Sequence, residues 1–304
     1  MPNIVFFGTP VAATPSLKAL SELFEMVSVI TQPDRPKGRS GTPSPPPVKI
    51  LAEELGLPIA QPTNRAELAD AVRLAGRTDV GVVVAYGRIL RPEVLAGPRM
   101  GMLNGHFSLL PRWRGAAPVA RAIMDGDTMT GVTIIQLDEG LDTGPILTAQ
   151  AVDIGPDENT GTLTGRLADL SARLLTDTIP PYLEGSILPI DQVEEGATYA
   201  SKVTSADRRI DLDWLPKVIV NHVRALAPSP GATLEIDGVV HKVLATRLSE
   251  TNPEPRHWTA EGGVPIIGSA GGGVELLELQ PPARRSQTGA DWLRGRTSVS
   301  GMVG

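Results

Sequence analysis

The sequence predicts an α/β protein, with a doubly wound, mostly parallel sheet followed by a small β-barrel. Three observations carry that prediction. The first half alternates short apolar runs with helix-like segments, the pattern of βαβ units. The run at residues 80–85 is dense in valine, as a central parallel strand buried on both faces requires. Beyond residue 207, short strand-like runs alternate with Gly-containing turns and little helix intervenes, which is how a small barrel reads. The length of 304 residues fits about two domains.

The elements follow in order. Residues 3–8, Asn-Ile-Val-Phe-Phe-Gly, read as a buried strand ending in a turn. Residues 14–23 predict a helix, 26–31 a strand, 48–55 a helix, 57–61 a short strand and 66–74 a helix. Residues 80–85, 101–106 and 132–137 predict further strands. Apolar positions in residues 163–175 recur at helical spacing, and Pro180, Pro181, Gly185 and Pro189 then punctuate the chain. A helix is expected at 215–226. After it come strands at 233–236, 239–246, 264–267 and 274–279, with Asp237-Gly238 as a hairpin signal. The expected division is 1–183 for the α/β domain, 184–205 for a linker and 206–304 for the barrel.

Composition narrows the function. There are no cysteines, so a disulfide scaffold, a thiol nucleophile and cysteine-ligated metal are excluded. The four histidines are scattered, which argues against a multi-histidine metal centre. No apolar run approaches the ~18 residues of a membrane helix, and no basic-then-apolar leader opens the chain. A cytoplasmic protein is therefore expected. The net charge of −6 argues against a non-specific nucleic-acid coat. It leaves room for local basic patches: Arg35, Lys37, Arg39 and Lys49 form one, and Arg284, Arg285, Arg294 and Arg296 another. Either patch reads equally as a solvated loop.

Chemistry concentrates elsewhere. The first strand is followed by Gly8-Thr9-Pro10 with no G-x-G-x-x-G, so a dinucleotide site is not supported. Asn104 and His106 stand two apart at a predicted strand end, on one face. In an open α/β sheet that end borders the ligand crevice. An amide donor and a titratable donor aimed at one spot suit an oxyanion developing on a carbonyl. A turn-capping Asn and a surface His would look the same. Downstream, Asp138, Glu139 and Asp142 lie in a Gly-rich loop after a strand. A loop carboxylate can orient a histidine or take a proton from an amine, though Asp beside Gly is also ordinary turn chemistry.

The motifs go further than their chemistry alone. Asn104-Gly105-His106, Ser108-Leu109-Leu110-Pro111 and Arg114-Gly115, with Gly140-Leu141-Asp142-Thr143-Gly144, resemble the 10-formyltetrahydrofolate-dependent formyltransferases. Phe7-Gly8-Thr9-Pro10, Thr31-Gln32-Pro33-Asp34-Arg35-Pro36-Lys37-Gly38-Arg39, Ala116-Ala117-Pro118 and Arg209-Ile210-Asp211 narrow the resemblance to the branch acting on methionyl initiator tRNA. It spans most of the chain and weakens after about residue 240.

The resemblance implies a Rossmann-like domain, a linker and an OB-like barrel. It implies 10-formyltetrahydrofolate as formyl donor, methionyl initiator tRNA as acceptor and translation initiation as the setting, with no metal, no membrane and no obligate protein partner. By motif, Asn104, His106 and Asp142 are the implied catalytic set. Ser108, Leu109, Leu110, Pro111, Arg88, Ile89 and Leu90 are implied at the folate. Arg35, Lys37, Arg39, Lys49, Lys202, Arg208 and Arg209 are expected at the tRNA. Four positions depart from the pattern. Gly105 stands where a bulky apolar residue is usual and is expected to loosen the Asn104/His106 pair. Ala12 replaces a common aromatic, Ser229 a common tryptophan, and Ser-Gly-Thr after Arg39 further lysines. An amino-sugar-nucleotide or other small-amine formyltransferase shares the central motifs, and a non-catalytic tRNA-binding module is the third reading. The basic loop after Thr31 favours tRNA over the sugar, and the intact Asn/His/Asp set argues against a binding module.

Overall fold

The computed structural model describes residues 1–36 and 41–304. The chain divides into two compact units. One holds residues 1–116, 130–152 and 164–200, and the other 117–129, 153–163 and 201–304.

The first unit is built on a seven-stranded sheet. Its order is Ile146–Asp153, Met129–Gln136, Met102–His106, Val80–Val84, Asn3–Gly8, Glu25–Ile30, Ile59–Ala60. The pairings from Ile59–Ala60 through to Met102–His106 are parallel, and Met129–Gln136 joins antiparallel. The order reverses between Asn3–Gly8 and Val80–Val84, which is the topological switch point of a doubly wound fold, where ligands sit beyond the strands' carboxyl ends. Every residue of Val80–Val84 is buried, which explains its unbroken apolar text. Val5, Phe7, Ile30, Val83, Tyr86 and Met102 pack in one core on this sheet. The helices begin where the sequence provides a start. Thr14–Leu23 carries Pro15 at its second position and Pro47–Glu54 opens on Pro47. Arg65–Leu74 opens on Asn64, whose side chain accepts from Glu67 N while the Glu67 carboxylate accepts from Thr63 N.

The second unit carries the barrel. Antiparallel neighbours run Ala232–Ile236, Val239–Ser249, Gly272–Gln280, Val264–Ser269, His257–Glu261, Ser300–Met302. The ring closes through an antiparallel bridge between Ile236 and Val303. Asp237 and Gly238 turn the first hairpin with φ of +49° and +78°, the geometry of a type I′ turn. Helix Pro216–Leu226 buries Ile219, Val223 and Leu226 in the barrel core with Trp258 and Trp292. Both predicted architectures are present.

Finer expectations are corrected. Pro180 and Pro181 do not end their helix, which runs Thr160–Leu183. Proline inside a helix costs about 3 kcal/mol, but here Ile179 and Tyr182 are buried and Tyr182 Oη donates to Met100 O at 2.6 Å. Strand Ile146–Asp153 escapes notice because its residues are half-buried or exposed without alternation. Helix Gly289–Arg294, at six residues, is too short to show a period, whereas Pro118–Asp125 buries Val119, Ala122 and Ile123 on one face and is not among the expected elements.

Candidate active site

Strand Met102–His106 ends at the carboxyl edge of the sheet, and its register places Asn104 opposite Ile135 and His106 opposite Thr133. The turn after it is tightly tied. Ser108 Oγ donates to Arg112 O at 2.6 Å, and Thr133 Oγ1 donates to Ser108 O at 2.7 Å while accepting from Leu110 N at 3.1 Å. These bonds return Trp113 to His106, whose Nε2 lies 2.9 Å from Trp113 O.

Asp142 arrives from the loop after Met129–Gln136, and the three candidate catalytic residues meet there. Asp142 Oδ1 accepts from Asn104 Nδ2 at 3.4 Å, and Oδ2 stands 3.6 Å from His106 Nδ1. The tightest bond to the carboxylate comes from Gly115 N, at 2.8 Å to Oδ2. The two side-chain contacts are long for hydrogen bonds. Asn104 Nδ2 and His106 Nδ1 thus both face the Asp142 carboxylate without a tight bond to it, and catalytic contacts of this kind tighten when a reacting group enters. Asp142 itself adopts a left-handed φ of +54°. Asp tolerates that region better than most residues, but the conformation must be held by its surroundings.

Gly115 is required here. Its φ is +114°, and a Cβ would stand 2.9 Å from the Ala200 carbonyl oxygen. The approach is close because Arg114–Gly115 pairs in parallel with Tyr199–Ala200. Gly105 is the second position where absence of a side chain matters, since a Cβ there would strike Ser171 Oγ. Ser171 is fully buried, so the volume vacated by the usual bulky residue is filled from helix Thr160–Leu183, not left open.

Of the candidate folate residues, Ser108 is buried with its hydroxyl committed to the turn, and Leu110 is buried. Leu109 and Pro111 are half-buried. Arg88, Ile89 and Leu90 follow the neighbouring strand Val80–Val84. Ile89 is 85% exposed, whereas Leu90 belongs to the core. Arg88 Nε donates to Gln32 Oε1 at 3.0 Å and Nη1 to Pro62 O at 3.0 Å, tying together the ends of three strands.

The candidate tRNA residues are dispersed. Lys37 and Arg39 lie outside the described residues. Arg35 reaches Gln32 Oε1 at 3.3 Å. Lys49 is paired with Asp34 at 2.9 Å, and Gln61 and Lys49 together hold the Asp34 carboxyl below its usual range. In the other unit, Lys202 and Arg209 are exposed, while Arg208 Nε donates to Gly231 O at 3.0 Å. Of the basic tail, Arg296 stacks 3.8 Å from the Trp292 ring centroid and bonds Asp237. Among the described residues, no three His, Asp or Glu side chains are placed so as to hold a metal ion. No described helix is long and apolar enough to cross a membrane.

Sequence reasoning overlooked the segment read as a linker. Gln192, Glu194, Thr198 and Ala200 all touch the turn or the Asp142 loop. No local pattern marks them, because their partners lie about 50 to 80 residues away.

Comparison with known proteins identifies the family. Residues 2–179 match the model for the formyl transferase family, and residues 202–297 the model for the formyl transferase C-terminal domain. A methionyl-tRNA formyltransferase of Halorhodospira halophila is 47% identical over 98% of both chains. One from Myxococcus xanthus is 41% identical over 99% of this chain and 97% of its own. Among solved structures, WlaRD, a sugar 3N-formyl transferase, superposes with a TM-score of 0.71 at 18% identity, covering 94% of this chain and 99% of its own. The methionyl-tRNA formyltransferase of Clostridium thermocellum gives 0.58 at 19% identity, covering 82% and 94%. Identities this low speak for the fold alone.

Proposed function

We propose that this chain, which belongs to the methionyl-tRNA formyltransferase family, transfers a formyl group from 10-formyltetrahydrofolate to the amino group of methionyl initiator tRNA. The setting is the cytoplasm, at the start of translation. The observation that carries the reading is the convergence of Asn104, His106 and Asp142 at the carboxyl edge of a doubly wound sheet.

The donor supplies an N-formyl carbonyl whose carbon the acceptor amine attacks. Asn104 Nδ2–H and the His106 ring donate to the carbonyl oxygen as it gains charge. Donors held in place before the reaction stabilise that charge without reorganising. Asp142 takes the proton the amine must lose, and its carboxylate offsets positive charge on His106. His106 returns a proton to the departing folate nitrogen, so that one proton leaves the acceptor and one reaches the leaving group. The remainder of the barrier falls through positioning.

Residues 1–183 are assigned to this chemistry together with 190–200 of the connecting segment 184–205, which is bonded to the Asp142 loop, and 206–304 to gripping tRNA. With a net charge of −6, tRNA attraction rests on few contacts. Exposed Lys202 and Arg209 are assigned first, followed by Arg35, Lys37 and Arg39. Each phosphate neutralised adds about 0.7 to 0.9 to the salt slope.

The test is formylation with 10-formyltetrahydrofolate, offering charged initiator tRNA, charged elongator tRNA and amino-sugar nucleotides in parallel. Preference for charged initiator tRNA is expected. Turnover confined to an amino-sugar nucleotide would overturn the reading.

A further inference from the structure

The segment 190–200, which joins the two halves of the sequence, is bonded into the candidate site. Gln192 is the centre of it. Its Nε2 donates to two carbonyl oxygens of the Asp142 loop, Asp142 O and Gly144 O, each at 2.8 Å. Its Oε1 accepts from Arg114 Nε at 3.2 Å and Nη2 at 3.0 Å. All of the amide's donor capacity is therefore engaged on one side and its acceptor on the other.

Arg114 is the second member. Its side chain is 1% exposed, and it reaches Glu194 through Nη1 at 3.1 Å and Nη2 at 3.0 Å. Two-pronged arginine–carboxylate pairing fixes direction as well as distance. The Glu194 carboxylate raises the guanidinium pKa further, and the guanidinium holds Glu194 below the usual carboxylate range. The backbone closes the figure: Arg114 N donates to Thr198 O and Ala116 N to Ala200 O, both at 2.9 Å.

These bonds meet at one carboxylate. Gly115, next to Arg114, donates its N–H to Asp142 Oδ2. Gln192 grips the Asp142 backbone, which is in the left-handed region and needs an external hold. The same strap thus positions both the residue that bears the carboxylate and the N–H that seats it.

We propose that Gln192, held by Arg114 and Glu194, is a positioning residue that sets the Asp142 carboxylate against Asn104 and His106. The proposal deepens the formyl-transfer reading and rests on it for the catalytic consequence. Gln192 touches none of the three reacting groups' side chains directly. Its effect passes through the loop backbone.

Gln192→Glu is the sharpest variant. It keeps the size of the side chain and the contacts to Arg114, but replaces the one NH2 group that donates to both carbonyls with a single oxygen that can donate to neither. We expect kcat for methionyl-tRNA to fall roughly tenfold to a hundredfold, since a misplacement of about 1 Å can cost that much. KM for 10-formyltetrahydrofolate and for tRNA should stay within about twofold, as neither is bound by this strap. On an Asp142→Asn background the same change should have little further effect on kcat, because there is no carboxylate left to aim. Glu194→Ala, at a side chain 75% exposed, gives a second variant with a smaller loss if Gln192→Glu does not fold. A kcat unchanged in both variants, losses that simply add to Asp142→Asn, or KM values rising with the fall in kcat would each overturn the proposal.

A second readout does not depend on the acceptor. The Gly115 amide is protected by Asp142, so its hydrogen exchange followed by NMR should accelerate about tenfold or more in Gln192→Glu, with the Val80–Val84 amides unchanged. Unchanged Gly115 exchange would also overturn the strap. If the wild-type protein did not formylate methionyl-tRNA, the functional reading would fail, and this arm would still decide the strap.

Discussion

Each unit buries a histidine beside an aspartate and a tryptophan, and the two sites use them in opposite ways. In the first unit, His106 has one ring nitrogen on Trp113 O at 2.9 Å and the other facing Asp142 at 3.6 Å. In the barrel, His241 Nδ1 lies 2.8 Å from Val239 O, and Nε2 accepts from Trp292 Nε1 at 3.1 Å. Burial pushes the His241 pKa down, consistent with a ring kept neutral so that Nε2 remains an acceptor. Nearby, Asp237 accepts from Trp258 Nε1 and Met302 N, and pairs with Arg296. The barrel histidine is a closed piece of architecture. The sheet histidine has a loose second contact, beside an Asn amide with an equally loose one. Residue type and burial are shared, and what separates the two sites is whether the polar capacity is used up.

The largest effect should come from breaking that asymmetry. His106→Ala or Asn104→Ala should lower kcat roughly 10²–10³-fold, the size of one lost oxyanion donor, with the unfolding midpoint close to wild type. His241→Ala should do the reverse. It leaves the Trp292 N–H buried without an acceptor, at about 1–3 kcal/mol, while turnover per folded molecule is retained. Steady-state kinetics paired with urea unfolding of both variants checks this. A His241→Ala protein that folds normally and turns over slowly would erase the distinction.

The next test concerns Gly105. Gly105→Ala forces a methyl against Ser171 and should destabilise the first unit by about 1–3 kcal/mol. Ser171 Oγ is buried without a hydrogen-bond partner, so Ser171→Ala alone should be near neutral and should restore most of the stability of Gly105→Ala. Additive losses in the double mutant, measured by denaturant midpoints, would show that Ser171 is not the obstacle.

A smaller and graded effect is expected from pH. Desolvation lowers the pKa of both His222 and His241 in the second unit. Their folded forms resist protonation more than their unfolded forms, so the unfolded chain binds more protons below about pH 6.5. Stability from these two rings is complete above that value and is lost as pH falls from it toward the depressed folded values. The slope is at most about 1.4 kcal/mol per pH unit for each. Unfolding followed by tryptophan fluorescence should show the decline between about pH 7 and 5, and His241→Gln should flatten part of it. A pH-independent second-unit midpoint in that range would contradict the burial argument.

The smallest expected effect belongs to a cap. Asn64→Ala removes the side-chain acceptor at the start of Arg65–Leu74 and should cost about 1 kcal/mol with no change in kcat. A loss of turnover there would mean that the Arg88 bonds to Pro62 O and Thr63 O transmit helix position to the site.

Local rules made much of the architecture readable. An all-apolar run had to be a strand buried on both faces, Asp237-Gly238 had to turn a hairpin, and Asn104 and His106 had to share a face because strands alternate. The motifs around Asn104 and Asp142 named the side chains that the structure brings within 3.6 Å. Tertiary structure decided the rest. Nothing in the text of residues 184–205 marks Gln192 or Thr198 as partners of a turn 80 residues earlier, since hydrogen bonds across such distances depend on packing and leave no periodicity. Lys49 and Arg208 read as cations for an outside partner, yet the fold gives them Asp34 and Gly231 O. His106 and His241 are indistinguishable as letters. Sequence determines which groups are available and the local shape that presents them. The fold determines which of them are satisfied inside the protein and which keep capacity for a substrate, because only long-range packing sets how closely each donor meets its acceptor.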